Sequence, residues 1–203
     1  MTVATIKRWP TTEKTPLPEL FGISEDLMSA WLLFQNAEAV SETISRPLNQ
    51  YEVLDALISS AIIKYLRSFG TGIRMKLLID DIRGISEEMS SHHHRLKSFR
   101  DRHIAHPVSG FETESVFVSV HDDGTDSAKI MGVSSGGQSS QMLNSAEIAQ
   151  SLSLCQTVME HVRQLMAAET GRLFEIAKHM PIGEINSLPC GPVQPNPDPT
   201  SRR

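Results

Sequence analysis

Cysteine is almost absent. Cys155 and Cys190 are the only two, and no CxxC occurs, so neither a disulfide framework nor a cysteine zinc site can be built. Long apolar runs are missing too: nothing approaches the ~20 residues of a membrane span. No apolar stretch follows the basic residues between Met1 and Pro10, which predicts a chain without a signal peptide. There is no cationic excess either. Nineteen Lys and Arg against 24 Asp and Glu give −5 at pH 7, which excludes a general nucleic-acid coat or a membrane-surface binder. The signatures GxxxxGK[ST], HExxH and GxSxG do not occur. Gly70-Thr71-Gly72 opens a dinucleotide-like pattern, but Met75 stands where the third glycine belongs and an apolar helical stripe precedes it. That is a helix end, not a phosphate cradle. Together these absences predict a cytoplasmic protein without cofactor or membrane partner.

What remains is a chain of 203 residues, 39% hydrophobic and 21% charged. That suffices for one domain with a real core, or two small ones, and excludes a wholly disordered chain. Residues 1–22, with Pro10, Pro16 and Pro18, read as an irregular leader. Ser24 followed by Glu25 and Asp26 predicts a helix start, with acids against the positive end of the dipole, and Leu27, Trp31, Phe34 and Val40 give that helix one apolar face. Asn49 with Glu52 resembles a capping box, and behind it apolar residues from Leu54 to Phe69 recur at three and four. A third helix is predicted from about Ile73 to Ala105, with Gly84 as the place where it bends or is interrupted. Its stripe Leu78, Ile82, Ile85, Met89, His92, Leu96, Phe99, His103, His106 alternates steps of four and three, the pattern of one seam facing a partner helix. Pro107 stops it.

The period then becomes two. Val116, Val118 and Val120, the turn residues Asp122-Asp123-Gly124 and a return strand over Lys129–Val133 predict a hairpin insertion at about 113–135, with Ser134 to Gln138 as a loop. After Asn144-Ser145, helical periodicity runs to Pro181. The Pro-rich tail, 181–203, is expected to be disordered. The predicted fold is therefore mainly α: an up-and-down four-helix bundle over 23–180, with a small β-hairpin before the last helix.

His92-His93-His94 invites a metal reading, but successive helical residues fan out by about 100° each and do not converge on one ion. The run reads as solvated or partly packed, and His121, His161 and His179 as surface residues. The informative segment is Phe99 to Pro107, where Arg100, Arg102, His103 and His106 fall within seven residues. Residues 63–106 hold nine Lys and Arg against five Asp and Glu, net +4, while the other 159 residues sum to −9. An acidic chain thus concentrates its cations toward this cluster, where they can serve a polyanion locally. A blander reading stands beside this one: cations in a last helical turn favour the negative dipole end and cap free carbonyls.

Arg100-Asp101-Arg102-His103-Ile104-Ala105-His106 resembles the Arg-x(4–6)-His signature of HEPN domains, and its Arg-Asp-x-x-x-Ala-His form looks most like the AbiU-type abortive-infection branch. The resemblance covers roughly residues 22–180. It implies a HEPN-like bundle and a metal-independent endoribonuclease of a toxin–antitoxin or phage-defence system, active as a homodimer whose two motifs face one cleft. Carried over, Arg100, Asp101 and His106 are catalytic. His106 moves the proton of the substrate 2′-OH, Arg100 stabilises charge developing on the phosphate, and Asp101 orients one of them. Arg102, His103 and Lys97 hold RNA, no metal is required, and an antitoxin or nucleotidyltransferase is the implied partner. The alternative is a non-catalytic dimeric HEPN-like module that binds a nucleotide or a partner through the same cluster. Arg100 and His106 lie six residues apart, so on a straight α-helix they point about 120° apart, and a two-fold dimer or an unwound helix end is needed to bring them together.

Overall fold

A computed structural model describes residues 6–10, 14–43, 49–70, 75–104, 112–121, 129–139 and 143–191. The chain is mainly helical with one small two-stranded antiparallel hairpin. The elements are α1 (Leu17–Thr43), α2 (Asn49–Arg67), α3 (Glu87–Phe99), β1 (Glu112–His121), β2 (Lys129–Ser139), α4 (Ser145–His179) and α5 (Ile182–Ser187). Among the described residues, no helix is long and apolar enough to cross a membrane.

Helix α1 begins at Leu17, seven residues before the predicted Ser24. Pro16 and Pro18 flank that start. Prolines are tolerated in a first turn because its N–H groups have no intrahelical acceptor. The extra turns bury Leu20 and Ile23, so the end of the supposed leader is core. Asp26 lies well inside α1 and is buried. Its carboxylate does not serve a helix start but pairs with Lys64 at 3.2 Å and Arg67 at 3.4 Å, both near the end of α2. Helix α1 packs along both α2 and α4. Phe34, Leu54, Ile58, Tyr65, Leu154 and Val158 are fully buried between them.

The single helix predicted from Ile73 to Ala105 does not form. Met75 to Leu78 lie outside any helix or strand, with Leu78 extended, Ile79–Asp81 make one 3-10 turn, and Gly84 adopts φ +87° before α3 starts. That left-handed conformation favours glycine and ends any helix reaching it. Ser86 then caps α3, its hydroxyl accepting from the Met89 N–H. The apolar steps before Gly84 belong to an extended wall in which Leu77, Ile79 and Ile82 are buried while Leu78 is 50% exposed. Beyond Phe99 the chain widens into a π-helical turn, Arg100–Ile104. Asn144 and Glu147 form a reciprocal capping box at the start of α4, with both bonds made at about 3 Å.

The tail is ordered further than predicted. After α5, Arg8 N–H donates to Pro189 O at 2.8 Å and Gly191 N–H to Ile6 O at 3.2 Å, while Lys7 Nζ donates to the carbonyls of Asn186 and Leu188. These bonds satisfy backbone groups of both chain segments at once, which the proline count concealed. Residues 192–203 lie outside the described residues.

The hairpin strands are longer than predicted, and Ser134 to Gln138 pair within β2 instead of forming a loop. The turn at 122–124 lies outside the described residues. Cross-strand partners share a face, so Val118 with Val133 and Val120 with Ile130 join Val116 on one side, all 52 to 71% exposed. None of these side chains is in the core. Replacing Thr113 to Ser135 by a short linker is therefore expected to leave a helical, cooperatively melting protein, checked by circular dichroism. Loss of all folding would show that the ribbon carries core contacts.

Candidate functional site

Three segments converge at the C-terminal end of α3. The end of α2 supplies Leu66, Phe69 and Gly70, the extended wall and its 3-10 turn supply residues 76–81, and α3 supplies His93, His94, Lys97 and Arg100. They enclose a cleft of about 370 Å³, within the size range of small-ligand sites.

The floor is aromatic. Tyr65 is fully buried, and its hydroxyl and His93 Nδ1 share a hydrogen bond of 2.9 Å. The His93 ring meets Phe69 edge-on at 4.5 Å between centroids and His94 at 5.3 Å, with Tyr65 at 5.7 Å. Burial, then the neighbouring His94 and Lys97, hold His93 down at about 4, so at neutral pH it carries no charge. Burial also pushes the Tyr65 phenol up, which keeps it a donor. The rim is charged. Lys97 and Lys76 are exposed on it, facing the carboxylates of Asp80 and Asp81 on the 3-10 turn. Among the described residues neither lysine has an ion-pair partner.

Arg100 lines the same cleft with its side chain one-third exposed. Its Nε and Nη2 both donate to Asp101 Oδ1, at 2.8 and 2.5 Å. Two of five guanidinium donors are thus fixed and the rest remain available to an anion. Of the sequence-predicted residues, Lys97, Arg100 and Asp101 are brought together here. Arg102 is exposed on the π-helical turn. His103 lies on that turn with its side chain outside the described residues, as is all of His106. The 120° divergence expected between Arg100 and His106 concerns residues beyond Ile104 that lie outside those described. π-turns occur frequently at functional sites.

Of the two expected readings of the histidine run, solvated or partly packed, the second describes it. His92 and His93 are buried and only His94 is exposed. His92 donates through Nε2 to Ser151 Oγ at 2.8 Å, and the Ser151 hydroxyl donates to Glu147 O at 2.8 Å. With Ser151 fully buried and its proton committed to a carbonyl, this pair joins α3 to α4 and is no nucleophile. The ion pair of Arg95 with Glu147 joins the same helices. His161 is half-buried, its Nδ1 accepting from Arg83 N–H at 3.3 Å. Among the described residues, no group of three or more His, Cys, Asp and Glu is placed to hold a metal. Sequence reasoning missed the roles of Tyr65, Phe69, Lys76, His93 and His94. The one available signal was the four-residue spacing from Tyr65, on α2, to Phe69, in the turn just after it.

No family model matches the chain, and no curated protein and no solved structure matches it.

Proposed function

We propose that the protein is a metal-independent endoribonuclease, with helices α1 to α4 forming a HEPN-like up-and-down four-helix bundle of the AbiU-type branch and the hairpin inserted before its last member. The observation that carries this reading is the Arg100–Asp101 pair on the wall of a cation-rimmed cleft. A guanidinium held in place by its neighbour is a preorganised donor for a phosphate whose charge grows in the transition state. His106 takes the proton of the 2′-OH, the 2′-oxygen attacks the adjacent phosphorus, and the bond to the 5′-oxygen breaks as that oxygen takes a proton from water, while His106 returns its own to solvent. The products are a 2′,3′-cyclic phosphate and a 5′-hydroxyl.

The enzyme acts as a homodimer. The helical seam expected from Leu78 onward is broken, but the exposed face of Val116, Val118, Val120, Ile130 and Val133 is a self-complementary alternative. A two-stranded ribbon is marginal alone, and a second copy packed face to face under a two-fold axis removes both apolar faces from water. Light scattering at micromolar concentration is expected to give a dimer for the parent and a monomer for the chain lacking Thr113 to Ser135.

The deciding experiment is incubation of the purified protein with single-stranded RNA in excess EDTA. Cleavage with cyclic phosphate ends is expected. Intact RNA, with any bound inhibitor protein removed, would overturn the proposal.

A further inference from the structure

We infer that the outward face of α1 is a second contact between copies of this chain, antiparallel about a two-fold axis and separate from the hairpin face. It joins dimers into larger assemblies and does not depend on nuclease activity.

Helix α1 is apolar on two opposite sides. Leu20, Ile23, Leu27, Ala30, Phe34 and Ala37 form its buried side, where α1 packs along α2 and α4. Phe21, Glu25, Met28, Leu32, Gln35 and Ala39 are all exposed. At 100° per residue they centre about 160° around the helix from the buried set. Their spacing alternates four and three, the rhythm of a seam that meets another helix. Phe21 is 58% exposed, Met28 41% and Leu32 47%. Single exposed apolar residues are ordinary, but a row of large ones along one seam marks an interaction surface. Beside Met28, the side chains of Trp31, Gln156, Met159, Glu160 and Arg163 border a groove of about 340 Å³ between α1 and α4. A knob from an opposing helix fits such a hole.

The order of residues along the seam says what covers it. Laid antiparallel on a second copy with Met28 opposite Leu32, the seam also sets Glu25 opposite Gln35 and Phe21 opposite Ala39. The two-fold axis makes each pairing twice. Large meets small at the ends, an amide donor meets a carboxylate, and apolar side chains meet at the centre. A parallel pairing would instead bring Glu25 against its own copy, and like charges across a seam repel. One helix pair of roughly 27 Å is a small interface, so the affinity is expected on the order of 100 µM. A copy with two separate two-fold faces links dimers into tetramers or longer chains.

The test is sedimentation velocity on the full chain from about 5 to 500 µM, a range that brackets this affinity. The parent is expected to grow from a dimer to a tetramer or larger. Leu32→Glu and Gln35→Glu should each weaken that growth at least about tenfold, the second by setting two carboxylates face to face. Adding Glu25→Gln to Gln35→Glu remakes a carboxylate–amide pair in the antiparallel register and should restore the growth. These positions are exposed, so circular dichroism should show an unchanged fold. A parent that stays a dimer to the top of the range, or growth untouched by Leu32→Glu, overturns the inference. Growth strengthened by Glu25→Gln alone would mean parallel pairing and overturns it too. A parent that is monomeric at micromolar concentration, yet associates through Leu32, sinks the hairpin contact and leaves this one standing.

Discussion

Arg100→Ala is expected to slow RNA cleavage by about two to three orders of magnitude, the usual size for losing one preorganised charge-stabilising donor. The guanidinium is already held by Asp101 through two nitrogens, so no ordering remains to be done when the phosphate becomes more negative. Asp101→Asn keeps the shape but weakens that hold, and should cost less, about tenfold, in single-turnover rate and not in RNA affinity. Arg100→Lys retains charge without the planar fork and should fall between parent and Ala. His106→Ala should abolish cutting, because it removes the imidazole proposed to move the 2′-OH proton. Arg102 is exposed on the π-helical turn, and on the proposed reading it touches RNA but not the reacting phosphate. Arg102→Ala should therefore weaken binding and reduce the salt slope by about one, leaving the rate at saturating RNA near the parent's. His106→Ala cutting at the parent rate would mean that the nuclease lies elsewhere or is a contaminant.

The parts of the fold that were legible in the sequence are those written in local chemistry. The capping box of Asn144 with Glu147 uses side chains and backbone only three residues apart, so a short window contains both partners. The alternation around Val118 likewise reads directly as a strand. The third helix was misread because the spacing of Leu78, Ile82 and Ile85 fits a helical seam, while the deciding feature is the backbone of Gly84 at φ +87°. Periodicity counts apolar side chains and is blind to a residue that has none. Within the site, Arg100 and Asp101 stood out because they are neighbours in sequence. The cleft did not, because its walls come from α2, the 76–81 segment and α3. The burial of His92 and His93 depends on Ser151 and Tyr65, which are 59 and 28 residues away. No window around the histidine run contains them.

Acidification from about pH 6.5 to 4 is expected to destabilise the folded protein strongly, and His93 is the main cause. In the unfolded chain this imidazole has the ordinary value of 6.5, whereas burial holds it at about 4 in the native state. Between those values the unfolded chain binds a proton that the native state refuses, so stability rises with pH across the window and is lost as pH falls. The stabilisation is complete above pH 6.5, and below 4 both states are protonated. Two to three pH units correspond to roughly 3 kcal/mol, a large fraction of the 5–15 kcal/mol typical of a domain. His92 is lowered too, by burial, and adds in the same direction. Urea melts at pH 7 and pH 4.5 measure the loss, and NMR titration of the native protein should place the His93 ring near 4. Tyr65→Phe leaves Nδ1 buried without its hydroxyl and should cost about 1–3 kcal/mol at neutral pH. His93→Leu removes the titration, so its stability should vary less between the two pH values than the parent's, even if it is lower at pH 7. An equal acid loss in His93→Leu would place the sensitivity in other groups, and a His93 ring titrating near 6.5 would show that the cleft floor is wet and charged.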